Sequence, residues 1–315
     1  MKGFVRNVTA VVILMLSLNV PAMAGGATSS IIERKNYPLP TWTDAVERTD
    51  LQKYATENEY VLAAKDSRFV LEKIRYRSDG LAVVALLCRA ATVGAAKQPV
   101  IVFNRGSFVR KDIAPELLPM FHRLASAGFA VIAPMYRGSD GGEGRDEMGR
   151  DDVNDVMNVA PLLAEIEALD PDNVFLYRES RGGMMVFQAI RDGFAARAAA
   201  TFGTFTDLDE LFATGTGTKM ASKIWPDFSQ RRGEIAFRRS AMSWPEKLRL
   251  PLLLMHGGKD LDVSPTQTLR LAHALAKAGN DVGVSIFPGD NHRLSTNRVE
   301  RDRQAVEFFR ARIGK

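Results

Sequence analysis

Apolar and polar residues alternate from Phe69 to Tyr76, and after Ser78-Asp79-Gly80 a second β-rich run extends from Leu81 to Cys88. Two such runs joined by Asp-Gly predict an antiparallel hairpin. From Val100 onward the pattern changes. Val100 to Phe103, Phe129 to Pro134, Asn173 to Tyr177, Ala195 to Phe202, Pro251 to Met255 and Val282 to Phe287 are short, nearly continuous apolar runs, the pattern of strands buried on both faces. Between them apolar residues recur at helical spacing over Pro115–Ala127, where Gly128 is a terminator, and over about 151–169, Arg181–Arg191, Pro265–Ala278 and Thr296–Ile313. The pattern predicts an α/β chain with an eight-stranded, mostly parallel sheet covered by helices on both faces.

Two segments fall outside this rhythm. Residues 25–67 are mixed in composition and read as a loosely packed entry segment with one short helix. Thr204 to Leu250 interrupts the alternation with Phe205, Phe212, Trp225, Phe228, Phe237 and Trp244. It reads as a cap-like insertion over the strand ends, where open α/β sheets bind ligands. The expected organisation is therefore a leader over 1–24, the entry segment, and one α/β domain over 68–315 that contains the insertion at 204–250.

Composition narrows the function classes. With 315 residues, 46% hydrophobic and 25% charged, the chain has the make-up of a globular protein. Met1 to Ala24 differs from the rest: Lys2 and Arg6 precede an apolar run from Val8 to Leu18, and Ala22-Met23-Ala24 is a small-residue cleavage signature. The run is short for a bilayer span, so it reads as a cleaved secretory signal that leaves no stable membrane insertion and directs the chain to the periplasm or beyond. The formal net charge is +5, and Lys2 and Arg6 contribute two of these charges. So mild and unclustered a balance gives no case for a nucleic-acid partner. The single cysteine, Cys88, cannot form an internal disulfide and reads as a small buried hydrophobe. With no histidine or cysteine cluster, the sequence implies no metal and no cofactor. It says nothing of oligomeric state.

The stretch Val174-Phe175-Leu176-Tyr177-Arg178-Glu179-Ser180-Arg181-Gly182-Gly183 is written as a strand, a sharp turn and a helix start. That context exposes a serine nucleophile on a strained turn, with small residues around it. Gly182 and Gly183 meet the demand, whereas Arg178 is bulky. A serine needs a base. Of four histidines, His122 and His273 fall within helical patterns, and His256 and His292 fall at strand ends. This arrangement runs serine, acid, histidine along the chain. Asp260, nearer the end of its strand, is the chosen acid, with Asp262 second. Asp260 would hold His292 in the tautomer that accepts the serine proton. The oxyanion donors are expected from the backbone N–H of Arg181 and from the loop holding Asn104, Arg105 and Gly106, where a main-chain N–H and the side chains of Asn104 and Arg105 are all open. Acids in and after the glycine-rich loop from Gly138 to Gly144 (Asp146, Glu147, Asp151, Asp152) read as charges favoured near a helix N-terminus, with a substrate-ammonium role as the other reading.

These residues resemble the catalytic domain of the prolyl oligopeptidase family, within the α/β-hydrolase fold. Tyr76-Arg77-Ser78-Asp79-Gly80-Leu81 is similar to its entry hairpin, Tyr136-Arg137-Gly138-Ser139 to the loop after its fourth strand, and Ser180-Arg181-Gly182-Gly183 to its elbow. His256-Gly257-Gly258-Lys259-Asp260-Leu261-Asp262-Val263-Ser264-Pro265, with Gln267, resembles its histidine–aspartate block. The resemblance runs from about Arg68 to the C-terminus. It implies that Asp260 is the acid and that His292, not His256, is the base. Two departures stand out: the chain has no β-propeller, and Arg178 occupies a position where the family has glycine. The expected function is an exported serine hydrolase acting on small peptides or amides through an acyl-enzyme. An esterase and a non-catalytic binding protein with a decayed elbow are the alternatives.

Overall fold

The computed structural model describes residues 29–92, 94, 96–106 and 112–314. The leader expected over 1–24 lies outside the described residues. The central sheet has nine strands in the order β1-β2-β3-β5-β4-β6-β7-β8-β9: β1 Ile31–Asn36, β2 Phe69–Ser78, β3 Leu81–Ala90, β4 Gln98–Phe103, β5 Ala130–Pro134, β6 Leu169–Glu179, β7 Ala198–Phe202, β8 Leu252–Gly257 and β9 Val282–Phe287. The pairings β1–β2, β2–β3 and β3–β5 are antiparallel, and the rest are parallel.

The ninth strand is β1, within the entry segment. Its burial pattern is almost wholly exposed, so it has no apolar alternation to betray it; backbone pairing to β2 and the Arg34–Glu72 ion pair hold it as a strand. The rest of the entry segment is more ordered than its mixed composition predicts. Helix α1 (Trp42–Arg48) is capped by Thr41, and α2 (Glu57–Lys65) carries a capping box between Thr56 and Glu59. Ala45, Leu51, Tyr60 and Ala63 enter the core. The hairpin forms as expected, because Asp79 and Gly80 both adopt positive φ (51° and 81°), which a two-residue turn of the right twist requires.

The remaining helices are α3 (Ala114–Ser126), α4 (Val153–Met157), α5 (Val159–Glu165), α6 (Ser180–Arg191), α7 (Leu208–Phe212), α8 (Gly215–Ile224), α9 (Phe228–Arg239), α10 (Pro265–Lys277) and α11 (Arg298–Arg310). The single helix expected over 151–169 is two short ones broken at Asn158, and Leu169 already belongs to β6. Successive β4 residues supply opposite cores: Val100 and Val102 pack with α4–α10, whereas Ile101 and Phe103 pack with α1–α3 and α11. Cys88 is buried in the second core, and burial pushes its thiol up to about 12. Among the described residues no helix is long and apolar enough to cross a membrane. From β4 the chain crosses to β5 on one side and then to β6 on the other. The switch opens a crevice beyond the carboxyl ends of β4 and β6, the natural ligand position in such sheets.

Candidate active site

Ser180 sits at that crevice, between the last residue of β6 and the first turn of α6, with φ of +54°. A non-glycine residue there is held against a cost of roughly 1–3 kcal/mol, and the neighbouring contacts show what holds it. A Cβ on Gly182 would overlap the Asn104 carbonyl and the Arg178 side-chain stem, and one on Gly183 would overlap Thr204. Strand ends and α6 therefore meet at distances that only glycine tolerates, as the sequence predicts for 182 and 183.

Asp260 and His292 come from the loops after β8 and β9. His292 Nδ1 donates to Asp260 Oδ2 at 2.8 Å. The other carboxylate oxygen, Oδ1, accepts the backbone N–H groups of Asp262 (2.8 Å) and Val263 (2.9 Å). Burial by itself would raise the Asp260 carboxyl, but hydrogen bonds from His256 and His292 outweigh it and hold the group well below the usual carboxylate range. For His292, burial works to lower its basicity, and the hydrogen bond and charge of Asp260 more than offset it, leaving the imidazole above its ordinary value of 6.5. Asp262 is exposed and its backbone N–H supports Asp260, so Asp260 is the acid in contact with His292. Ser180 and His292 line one cavity of about 630 Å³, walled on the far side by Phe205, Leu211 and Met220 of the 204–250 insertion. The insertion thus contributes to the wall of the cavity that Ser180 lines.

His256 is within β8, not after it, and is fully buried. Its Nε2 faces two acceptors, Asp260 Oδ2 at 2.9 Å and the Val263 carbonyl at 3.0 Å, so it carries its hydrogen, and Nδ1 meets Thr268 Oγ1 at 2.7 Å. It positions the acid. The sequence reading missed this role, although His256 and Asp260 lie four apart across a strand end. Asp290 is a second missed support: its carboxylate accepts the N–H groups of Asn291, Thr296 and Asn297 and the Asn297 amide, closing the loop that carries His292. Gly203, at the end of β7 with φ of +53°, is a third; a Cβ there would stand 2.5 Å from the His292 carbonyl, 3.2 Å from Nδ1 and 3.4 Å from Asp260 Oδ2. Nothing in the sequence marks that φ. Gly203→Ala is expected to displace His292 and lower kcat/KM by about 100-fold, the order of loss for a 1 Å misplacement. Steady-state kinetics beside a melting curve checks it; unchanged kinetics would mean the loop yields freely.

The oxyanion candidates separate. Arg181 follows Ser180 in the first turn of α6, which puts its N–H beside the serine, while its guanidinium is buried against Asp146 and Asp152. The Arg105 side chain does not point to the cavity: it bonds the Met135 carbonyl, Ser139 and Asp146. Asn104 donates its backbone N–H to Tyr177 and its amide to Val102. The side chains of 104 and 105 are thus engaged elsewhere, and Gly106, beside Glu179, is the main-chain candidate. Ser107 lies outside the described residues. The acids after the glycine-rich loop compensate buried arginines: Asp146 pairs with Arg105 and Arg181, and Asp155 with Arg137.

Arg178 is accommodated without disturbing the serine. It is 4% exposed, its guanidinium lies 4.5 Å from the Phe103 ring centre, and Nη2 donates to Glu179 Oε1 at 3.0 Å. Its Nε is buried without a hydrogen-bond partner. Ligand atoms of Asp260, Asp262 and His292 come within 4.8 Å of one another, and His292 Nδ1 and Asp260 Oδ2 are hydrogen-bonded to each other.

A strained serine at a strand–helix junction, lining one cavity with a histidine held by a buried carboxylate at the strand ends of a mostly parallel sheet, defines a serine hydrolase of the α/β-hydrolase fold. The prolyl oligopeptidase family pattern matches residues 119–315, and the chain belongs to that family, which makes it a serine peptidase. It is 29% identical over 245 residues to the uncharacterized peptidase YtmA of Bacillus subtilis, covering 77% of this chain and 94% of that protein. The mouse acylamino-acid-releasing enzyme is 29% identical over 197 residues, but that match covers 57% of this chain and only 26% of the enzyme. Among solved structures, the acylaminoacyl peptidase of Pyrococcus horikoshii superposes with a TM-score of 0.65 at 21% identity, over 83% of this chain and 44% of the other. A puromycin-hydrolyzing peptidase of Mycobacterium tuberculosis gives 0.67 at 24%, over 79% and 40%. The chain thus spans less than half of these larger proteins, and what it shares with the solved structures is the fold.

Proposed function

We propose that this chain is an exported serine peptidase that cleaves short peptides or amides through an acyl-enzyme, with Ser180 as nucleophile, His292 as base and Asp260 as acid. The observation that carries the reading is the 2.8 Å bond from His292 Nδ1 to Asp260, which leaves Nε2 facing the cavity that Ser180 lines. Ser180 Oγ attacks the scissile carbonyl carbon and gives its proton to His292 Nε2. The developing oxyanion takes the N–H of Arg181 and a main-chain N–H of the 105–106 turn. His292 then protonates the departing amine, and water, deprotonated by the same imidazole, releases the acid and restores Ser180. One larger relative is named an acylamino-acid-releasing enzyme, which supports short acylated peptides as substrates. The leader sequence supports export.

Incubating the purified protein at neutral pH with a fluorophosphonate probe, then with aminoacyl amides and p-nitrophenyl esters, tests the reading; absence of labelling on folded protein would overturn it. The rate should also depend on pH in a defined direction. Because Asp260 raises His292 above 6.5, the neutral imidazole is depleted on acidification through a midpoint on the alkaline side of that value. A plot of log kcat/KM against pH should rise with unit slope and level off above that midpoint, while Asp260 stays ionised throughout. A midpoint well below 6.5 would be inconsistent with the Asp260 contact.

A further inference from the structure

A second cavity, of about 220 Å³, opens behind the elbow. It shares Tyr54, Glu179 and Arg293 with the Ser180 cavity, so the two meet beside the nucleophile. Six cationic side chains line it against two acidic ones, Glu116 and Glu179. Most are matched: Arg301 and Arg123 pair with Asp302, Arg298 with Glu59, and Lys53 with Asp50. Two retain capacity. Arg178, 4% exposed, is paired through Nη2 with Glu179 at 3.0 Å but its Nε is buried with no partner, and Arg293 lies 5.2 Å from the centre of the Tyr54 ring. A buried guanidinium N–H left unpaired is costly, and a carboxylate is the partner whose two oxygens match its geometry. Position fixes which end of a substrate brings it. The apolar side chains that the insertion brings to the larger cavity, Phe205, Leu211 and Met220, suit the acyl part, whereas Arg293 directly follows His292, the group that hands a proton to the leaving nitrogen. The smaller volume admits about one residue.

We infer that Arg178 and Arg293 form a carboxylate subsite on the leaving-group side, so that the preferred substrates are short acylated peptides whose leaving group is a single amino acid with a free carboxylate. This rests on the hydrolase reading above and gives it a substrate class. Arg178, in the place of the family's glycine, becomes a specificity determinant instead of a flaw.

The test compares matched substrates: acetyl-Phe-Ala with a free carboxylate, acetyl-Phe-Ala-amide, and acetyl-Phe-Glu-amide against acetyl-Phe-Gln-amide, with p-nitrophenyl acetate and fluorophosphonate labelling run alongside. The wild-type protein is expected to prefer the free acid over its amide by about 10- to 100-fold in kcat/KM, the range for hydrogen bonds to a charged group. That ratio should fall toward one in Arg178→Gln, and also in Arg293→Gln, which lies on an exposed loop and protects the test if the elbow variant does not fold. A preference for the Glu over the Gln substrate without one for the free acid would assign the site to an acidic side chain and overturn the terminal-carboxylate inference. So would equal rates on acid and amide, or ratios unmoved in both variants. Absence of both labelling and ester turnover would instead count against the hydrolase reading.

Discussion

Ser180→Ala is expected to lower turnover of any amide substrate by about 10⁶-fold, the loss typical when the nucleophile of a serine–histidine pair is removed, and to abolish fluorophosphonate labelling. Alanine keeps the Cβ, so the +54° backbone at 180 and the close glycine contacts of α6 remain as they are. The variant should therefore melt near the parent temperature. His292→Ala should match it in activity loss, because without the imidazole nothing in the cavity takes the serine proton, and the two losses should not add. Ser180→Gly provides an internal control. It is equally inactive but relieves a left-handed side chain, so it should melt higher than Ser180→Ala by the equivalent of about 1 kcal/mol. Residual activity within tenfold of the parent in Ser180→Ala would remove the serine from the reaction; labelling that persists would locate the nucleophile elsewhere.

The candidate residues were legible because local rules narrowed them and the family resemblance chose among those left. The positive φ at 180 needs small neighbours, and Gly182 and Gly183 announce it; the strand ends place Asp260 and His292 because short apolar runs stop there. What stayed hidden is set by contact across the sheet. Gly203 gives no signal in its own neighbourhood, since its constraint is the His292 loop from another strand. Strand β1 has no apolar face to reveal it, being held by backbone pairing at an edge. The break at Asn158 is likewise invisible in a helical pattern, because apolar residues on both sides keep the same face buried. Arg178 is the instructive case. Local sterics read it as an obstruction, but the side chain leaves the turn over Phe103 and meets Glu179, and Gly182 supplies the room that the stem occupies. Those partners are neighbours only in the folded chain.

Asp260→Asn is expected to cost about 10⁴-fold in kcat, the loss seen when the acid of such a triad becomes an amide, and the surroundings dictate why. In the parent, Oδ1 faces two backbone N–H groups and Oδ2 faces two histidine nitrogens. An asparagine must turn its NH₂ toward one of these pairs. The backbone donors of Asp262 and Val263 cannot become acceptors, whereas an imidazole can exchange tautomers. The amide oxygen therefore stays on the backbone, and the NH₂ faces His292 Nδ1, which becomes the acceptor. The ring hydrogen moves to Nε2, where it meets Ser180, and the base is lost. His256 keeps its Nε2 hydrogen on the Val263 carbonyl at 3.0 Å. The folded structure should survive, and the residual activity should lose its acid limb to lower pH, because the charge that raised His292 is gone. Asp262→Asn, altering an exposed carboxylate, should cost far less. Kinetics of the two variants across pH decide the matter: equal losses would mean that the 2.8 Å contact to His292 does not select the acid.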